Sequence, residues 1–450
     1  MAGSNASLQA FMVSAPGKVI VFGEHSVVYD KSAIAAAISL RSYLHVAPES
    51  SRTVTLRLTD INLVHEWPVD DLPWAAFKQE GKTHSFDARL SALDPDLVAA
   101  LQPHVARVSM TDCPDDARKV HQSAALAFLY LLLSLHDASS LSGCRYTLRS
   151  TIPIGAGLGS SASVSVCLAT AFLMQRGALV APHKDQTVAE ALAQVERINN
   201  WAFVGEMCIH GKPSGVDNTV VSQGRAVLYR RGHGVRPLWT FPQLPLLLVD
   251  TRQAKSTAHE VAKVVALKEK HPEVVASLLE AMDQVTGSAD ILLASRAVQA
   301  PESVKLATDR ETGHLGELMR INHGLLVSLG VSHPRIERVR ELVDHNGLGW
   351  TKLTGSGGGG CCIALKQPGA SEDDLLGLRR RLLDENYQLL ETTLGGEGVG
   401  LLCNGADELG IDFDDFVAAK DTDGIEVVVN RGKAKGEGWK FWGIEGDIQA

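Results

Sequence analysis

The 450-residue chain lacks the cysteine patterns that bind metals or build disulfide frameworks. Its seven cysteines are scattered, with no C-x-x-C pair and no spacing typical of zinc ligands. An odd number of cysteines in a long chain favours free thiols in a reducing compartment. We therefore expect a cytoplasmic protein without a cysteine-bound metal.

Long hydrophobic runs are also absent. The longest apolar stretch, residues 124–133, is too short to cross a bilayer and predicts a buried helix. The first nine residues contain no basic segment followed by an apolar one, so we expect no secretory signal. We expect no membrane partner.

Basic blocks are missing as well. Lys and Arg number 43 against 52 Asp and Glu, which gives a formal net charge of −9. This balance disfavours nucleic acid as a partner, and an anionic ligand would need a local cationic site. The apolar fraction, 45%, and the length are sufficient for two globular domains.

A glycine-rich stretch, residues 153–163, is the strongest local signal. Its sequence, Pro-Ile-Gly-Ala-Gly-Leu-Gly-Ser-Ser-Ala-Ser, follows a strand pattern at 144–150 and precedes an apolar helical pattern. Glycine lets the backbone approach a ligand, and the N–H groups of a first helical turn favour an anion. The stretch predicts a phosphate cradle, with Ser160 and Ser161 able to cap the helix. The alternative is a tight turn that needs glycine only for its shape.

Polar residues also cluster around the first apolar runs. Residues 11–14 and 19–22 predict two short strands with Lys18 at a Pro-Gly turn between them, and Glu24 and His25 follow. Residues 33–40 and 42–46 predict two further strands, interrupted at Arg41. The alternative for the polar residues is a surface lysine and an ordinary helix cap.

Two carboxylates stand eleven residues apart. Glu206 ends a strong helical pattern, and Asp217 follows a loop of Gly, Pro and Ser that can fold back toward it. Both acids can therefore face one site. Otherwise Asp217 caps a turn and Glu206 is a solvated charge at a helix end.

Two later segments carry weaker signals. Residues 355–360 place five glycines between apolar strands, more than a hairpin turn needs, and suggest a second place where backbone meets a ligand. A loose surface loop is the alternative. From residue 395 onward the chain is acidic and glycine-rich, and we expect an extension that is packed by Trp439, Phe441 and Trp442 or is partly disordered.

Together, residues 16–29, 153–161 and 353–360 resemble the three motifs of the GHMP kinase superfamily. Residues 205–218 are similar to its mevalonate-phosphorylating branch. The resemblance implies an α+β fold of two domains, with an N-terminal α/β domain containing a left-handed βαβ crossover, a ferredoxin-like C-terminal domain and the active site in the cleft. With the boundary suggested near residues 230–238, the expected limits are 1–235 and 236–400, followed by an extension over 401–450.

The resemblance further implies transfer of a phosphoryl group from ATP to the 5-hydroxyl of (R)-mevalonate, in isoprenoid and sterol biosynthesis. Asp217 matches the base and Lys18 the lysine beside it, which would stabilise developing negative charge. Ser161 and Glu206 match ligands of Mg²⁺, a cation that prefers oxygen donors.

Further site residues follow from the same resemblance. Glu24, His25 and Thr257 match substrate-binding positions. At Asp60 the family often has an asparagine near the adenine, so the adenine contacts stay open. Matches to the nucleotide site are Lys18, Ser150, Gly155, Ala156, Gly157, Leu158, Gly159, Ser160 and Ser161.

The superfamily also suggests a homodimer, which no residue pattern demonstrates. Two alternatives remain at this point: another GHMP small-molecule kinase, or a ligand-sensing paralogue that binds ATP without transferring phosphate. Such paralogues usually lose a catalytic group, whereas Lys18, Ser161, Glu206 and Asp217 are all present here.

Overall fold

The fold combines thirteen strands and thirteen α-helices in the part of the chain that the computed structural model describes, residues 10–111, 113–299, 307–402, 411–431 and 438–442. This is the predicted α+β class. The strands are β1 (Phe11–Phe22), β2 (Ala33–Pro48), β3 (Thr53–Leu58), β4 (Leu63–Pro68), β5 (Cys144–Ser150), β6 (Ala226–Arg230), β7 (Gly234–Leu238), β8 (Leu244–Asp250), β9 (Gly349–Leu353), β10 (Cys361–Lys366), β11 (Gln388–Leu394), β12 (Gly400–Leu402) and β13 (Lys440–Phe441).

The helices follow the apolar periodicity of the sequence, and none of those described is both long and apolar enough to cross a membrane. They are α1 (Trp74–Phe77), α2 (Pro95–Val105), α3 (Asp115–Leu135), α4 (Ser160–Gln175), α5 (Val188–His210), α6 (Val216–Gln223), α7 (Thr257–Lys270), α8 (Pro272–Gln299), α9 (Asp309–Ser328), α10 (Pro334–Asp344), α11 (Glu372–Asp384), α12 (Phe413–Ala418) and α13 (Thr422–Val429).

A single hydrogen-bonded path of strands, β13-β12-β1-β2-β11-β8-β10-β9, runs through the described chain. Strands β3 and β5 pair in parallel, and the connection between them contains α1, α2 and α3. The two halves of the path, β13-β12-β1-β2 and β11-β8-β10-β9, are joined where Leu394 of β11 pairs with Ile38 of β2. An apolar cluster that includes Val21, Leu248 and Ile363 packs across this junction. The cleft walls are thus fixed on one continuous framework.

Strands β1 and β2 are longer than the sequence pattern predicts, and the predicted interruptions are wrong. Lys18 lies within β1, next to a β-bulge rather than in a turn. Arg41 continues β2 because its guanidinium donates to backbone oxygens of Ser14 and Glu397, at 3.1 and 2.9 Å. A buried arginine satisfied in this way need not end a strand.

Helices α4 and α5 cross closely because small residues meet at their contact. A Cβ atom added at Gly205 would lie 2.8 Å from the Ser165 hydroxyl oxygen, which is closer than side-chain contacts allow. Thr187 and Glu190 form a capping box that starts α5. The close crossing carries the end of α5, with Glu206, to the first turn of α4.

The C-terminal extension is packed against the sheet in its described residues. Trp442 is buried, and its indole N–H donates to the Val180 carbonyl at 3.1 Å. Arg149 of β5 donates to the carbonyl oxygens of Phe416 and Val417 at 3.0 and 2.7 Å. Strand β13 pairs with β12. These contacts correspond to the packed alternative of the prediction, while residues 403–410, 432–437 and 443–450 lie outside the described ones.

We expect Arg149→Met to destabilise the fold, because it removes the donor from several carbonyl oxygens at the end of α12 and the cation from Asp60, 2.9 Å away. Breaking such a buried pair costs about 3 kcal/mol in free energy of unfolding. Arg431→Met is the control, since its ion pair with Asp415 is exposed and should contribute less than about 1 kcal/mol. Urea unfolding measures both, and equal losses would contradict the anchoring role of Arg149.

Candidate active site

A cavity of about 860 Å³ lies in the cleft and collects most of the predicted site residues. Its walls come from β1, α3, the glycine loop and the start of α6 on one side, and from residues 255–261 and 355–356 on the other. The predicted site residues that line the cavity are Lys18, Glu24, His25, Ser150, Gly155, Gly157, Leu158, Gly159, Ser160, Ser161, Asp217 and Thr257. Ala156 packs instead into an apolar cluster, and Glu206 is buried beside Ser161.

The glycine loop adopts a backbone that favours glycine at alternate positions. Gly155, Gly157 and Gly159 have φ values of 73°, 80° and 74°, in the left-handed region. Gly159 is the N-cap of α4, and no side chain caps this helix, so the predicted capping by Ser160 or Ser161 is wrong. The Lys18 N–H donates to the Leu158 carbonyl at 2.8 Å and holds the loop against β1. The first turn of α4 thereby faces the cavity.

Lys18 and Asp217 form an ion pair at the cavity wall. The Lys18 Nζ atom lies 3.1 Å from Asp217 Oδ1, and the lysine side chain is buried while the carboxylate is about one-third exposed. Asp217 is in the first turn of α6, behind the left-handed N-cap Gly215, where a helix favours negative charge. The pair joins β1 to α6 and leaves the carboxylate open to a ligand.

Glu206 lies in the last turns of α5 and has an unusual environment. Burial raises the pKa of this carboxyl to about 7, and the nearby Asp217 carboxylate raises it further, whereas Ser161 and Lys18 act in the opposite direction. Its Oε1 atom has no hydrogen-bond partner among the described residues. A buried carboxylate oxygen without a donor is suited to a cation.

A divalent cation therefore fits between Glu206 and Ser161. Carboxylate and hydroxyl oxygens are donors that Mg²⁺ accepts, and Mg²⁺ takes most of its remaining ligands from phosphate and water. The described residues contain no cluster of three or more His, Cys, Asp or Glu that would hold a metal without such help. The Ser161 hydroxyl is also 3.0 Å from His210 Nε2, a neighbour that the sequence motif contained without indicating this contact.

The predicted substrate positions differ in their surroundings. Both carboxylate oxygens of Glu24 are engaged by protein donors, Lys352 Nζ and, at 3.0 Å, Asn322 Nδ2. His25 Nε2 is 2.8 Å from the Ser356 carbonyl oxygen, and the Thr257 hydroxyl lies 3.4 Å from the Ser356 hydroxyl. His25 and Thr257 are thus tied to the second glycine-rich segment, while the Glu24 carboxylate points into the protein.

The second glycine-rich segment serves two purposes. Gly355 and Ser356 line the cavity. Gly357 and Gly359 have positive φ values, and a Cβ at either would collide with the backbone of Val331 or Gln253. The surplus glycine is therefore required largely by close packing within the protein, and only the start of the segment meets the predicted ligand space.

The contacts of Asp60 explain why an aspartate occupies the position where the family often has an asparagine. Its carboxylate accepts from the Ser150 N–H at 2.7 Å and from Arg149 Nε at 2.9 Å. An asparagine would lose the ion pair with Arg149, the residue that anchors the C-terminal extension. The segments that line the cavity with Asp60 contribute mainly apolar side chains, together with the polar Lys119, Ser123 and Ser150; the apolar ones are Leu58, Ile61, Val120, Ala124, Leu148 and Ile154.

Two lysines of the site were missed by sequence reasoning. Lys352 is fully buried in β9, and its only sequence signal was a charge inside an apolar strand. Lys255 lines the cavity, but its signal was no more than a position in a polar loop after β8. Neither position can be interpreted before the contacts of the folded chain are known.

Comparisons with known proteins agree with this geometry. The family model described as GHMP kinases N terminal domain matches residues 124–224, and that for GHMP kinases C terminal matches residues 304–385. A mevalonate kinase of Gibberella zeae is 59% identical, covering 97% of this chain and 88% of the relative. A human mevalonate kinase is 35% identical over 87% and 95% of the two chains. The crystal structure of L. major mevalonate kinase in complex with R-mevalonate is 24% identical, with a TM-score of 0.56, over 86% of this chain and 96% of that one.

The fold and the cleft, with both family-model matches, are those of a GHMP kinase. The identities of 59% and 35% over nearly the full length then define the branch. The chain belongs to the mevalonate kinase family.

The raised pKa of Glu206 predicts a pH-dependent stability in magnesium-free buffer. Between the ordinary value of 4.5 and the folded value of about 7, the folded state keeps a proton that the unfolded state has lost. Stability from this group is therefore present below pH 4.5 and lost as pH rises through 7. Relative to Glu206→Gln, the wild type should lose on the order of 3 kcal/mol between pH 5 and 8.

Urea unfolding of both proteins across this pH range provides the measurement. Glu196→Gln is the control on the same helix, since Glu196 is exposed and paired with Arg89 at the surface. It should follow the wild-type pH profile. Parallel profiles for the wild type and Glu206→Gln would show that Glu206 is ionised as an ordinary glutamate.

Proposed function

We propose that the chain transfers the terminal phosphoryl group of ATP to the 5-hydroxyl of (R)-mevalonate, giving 5-phosphomevalonate and ADP, a step of isoprenoid and sterol biosynthesis. The observation that supports it most directly is the 3.1 Å contact between Lys18 and Asp217 at the cavity wall, beside the glycine loop. Family membership supports the choice of mevalonate as the acceptor.

In this proposal Asp217 is the base. Its partly exposed carboxylate accepts the proton of the 5-hydroxyl, whose oxygen forms a bond to the terminal phosphorus while the bond from that phosphorus to the bridging oxygen of ADP breaks. Lys18, held against Asp217 and the glycine loop, stabilises negative charge on the transferring group. Positioning and charge stabilisation supply most of the catalysis in reactions of this kind.

We propose Mg²⁺ as the metal, bound by Ser161 and Glu206 together with the phosphates of ATP. When bound, it would neutralise phosphate charge and orient the chain of phosphates. The unpartnered Oε1 atom of Glu206 supports this assignment.

The nucleotide would lie along the glycine loop. Its phosphates meet the backbone of residues 155–161, whose glycines admit close approach, and the first turn of α4. The adenine ring of the nucleotide fits the apolar end of the cavity near Leu58 and Val120, with Ser150 close by. Ala156, which packs into the core, would keep the loop in place.

Mevalonate would occupy the part of the cavity near His25 and Thr257. Both side chains contact Ser356 and line the cavity wall. We assign Glu24 to positioning, because its carboxylate is held by Lys352 and Asn322. Its ion pair orients the segment that carries His25.

We also propose domain limits, a cellular location and an oligomeric state. The domain limits are 1–235 and 236–400, with an extension over 401–450. A cytoplasmic location agrees with the six described cysteines, which are all free thiols. A homodimer is proposed from the family resemblance, and analytical ultracentrifugation would decide it.

A substrate panel tests the function. Purified protein is assayed with ATP-Mg²⁺ and either mevalonate, phosphomevalonate or galactose, and ADP release is followed. We expect turnover of mevalonate alone. Turnover of galactose without mevalonate would indicate another GHMP kinase, and ATP binding without any turnover would indicate a ligand-sensing paralogue.

Asp217→Asn tests the base. We expect kcat to fall by roughly 10²- to 10⁴-fold, the usual contribution of a positioned base, while ATP still binds. Asp185→Asn is the matched control, because Asp185 is exposed in the loop before α5, and it should retain wild-type activity. Near-normal turnover by Asp217→Asn would remove this residue from the role of base.

A further inference from the structure

Lys255 lies where the two glycine-rich segments approach each other. A Cβ atom added at Gly157 of the first segment would lie 3.3 Å from Lys255 Nζ. The same test gives 3.5 Å at Gly355 and 3.0 Å at Gly360 of the second segment. The ammonium is therefore surrounded by glycine backbone from both sides of the cleft, and it lines the cavity.

This ammonium has no anionic partner among the described residues. None of the described carboxylates lies within 4.0 Å of Lys255 Nζ. Lys18, by contrast, is paired with Asp217. The charged and titratable groups that face it are Lys18, Asp250 and the buried thiol of Cys361. Burial lowers the pKa of Lys255, and the Lys18 ammonium lowers it further, while Cys361 and Asp250 raise it. A half-buried cation without a partner is expected to bind an anion that the free protein lacks.

We propose that Lys255 is a second cationic ligand of the ATP phosphates, placed across the glycine loop from Lys18. The inference rests on the proposed function, since it takes ATP as the nucleotide. Gly157 belongs to the loop assigned to the phosphates, and its missing side chain is what leaves Lys255 Nζ adjacent to that loop. Lys18 approaches the same loop at Gly159, so the two ammonium groups flank it.

The chemistry required of Lys255 is a charge-assisted hydrogen bond. An ammonium donates to phosphate oxygens as a compact point charge, and such bonds are about twice as strong as neutral ones. Residues 251–256 connect β8 to α7, in the C-terminal part of the chain, whereas the glycine loop belongs to the N-terminal part. Bound triphosphate would therefore connect the two walls of the cleft through Lys255.

Mevalonate also carries an anion, its carboxylate, which could occupy the same place. The two sources differ in what they predict for binding. A phosphate ligand makes Lys255 important for ATP and ADP but not for adenosine, and a carboxylate ligand makes it important for mevalonate. Binding experiments without turnover can therefore separate them.

The test compares Lys255→Met with Lys270→Met by isothermal titration with ATP-Mg²⁺, ADP-Mg²⁺, adenosine and mevalonate, each alone. Lys270 is an exposed lysine at the end of α7 and is the matched control. We expect Lys255→Met to bind ATP roughly 10- to 100-fold more weakly, with adenosine and mevalonate unchanged. Lys255→Arg should bind ATP more tightly than Lys255→Met, because it keeps the charge. Thermal unfolding confirms that each variant is folded.

Each result decides the proposal. Unchanged ATP affinity in folded Lys255→Met overturns it, and so does a loss confined to mevalonate, which would identify a carboxylate site instead. Equal losses in Lys270→Met would show a general charge effect and also overturn it. Failure of the wild type to phosphorylate mevalonate would contradict the proposed function, while the ATP titrations would still determine whether Lys255 binds phosphate.

Discussion

The ion pair between Lys18 and Asp217 is the interaction on which the site depends. Lys18 is buried within β1, and an ammonium in such a place requires a nearby anion. Asp217 provides it from the first turn of α6, while the stem of Lys18 packs against Gly159. One side chain thereby fixes the relative positions of a strand, a helix start and the glycine loop. The need to compensate the buried Lys18 ammonium therefore determines how these parts of the cleft are arranged.

Local sequence signals predicted those parts of the site that depend on local backbone. The alternate glycines of residues 155–159 indicated a loop between strand and helix that needs glycine, and all three have positive φ. The short loop after α5 indicated that Glu206 and Asp217 approach each other, and in the folded chain the Asp217 carboxylate contributes to the raised pKa of Glu206. Glycine conformation and loop length depend on residues that are close in sequence, so these local features could be predicted from the sequence.

Contacts between distant segments could not be predicted in the same way. Arg41 suggested a break in β2, but carbonyl oxygens of Ser14 and Glu397 satisfy it within a continuous strand. Lys352 and Glu24 are 328 residues apart, and neither position suggests that they form a buried pair. From the sequence alone, a charged residue is predicted to be exposed, because its buried partner is not evident. The family resemblance supplied the roles of matching residues, but not the surroundings that determine how each acts.

The pairing of β1 with β12 has a consequence for how the protein folds during its translation. Met12 pairs with Leu402, so one edge of β1 is completed by residues 400–402, which are far from it in sequence. During translation that edge presents unpaired backbone donors and acceptors until residues 400–402 have emerged, a condition that favours intermolecular strand association. Pairing across such a sequence separation is slow to form, so completion of β1 waits for the synthesis and folding of β12.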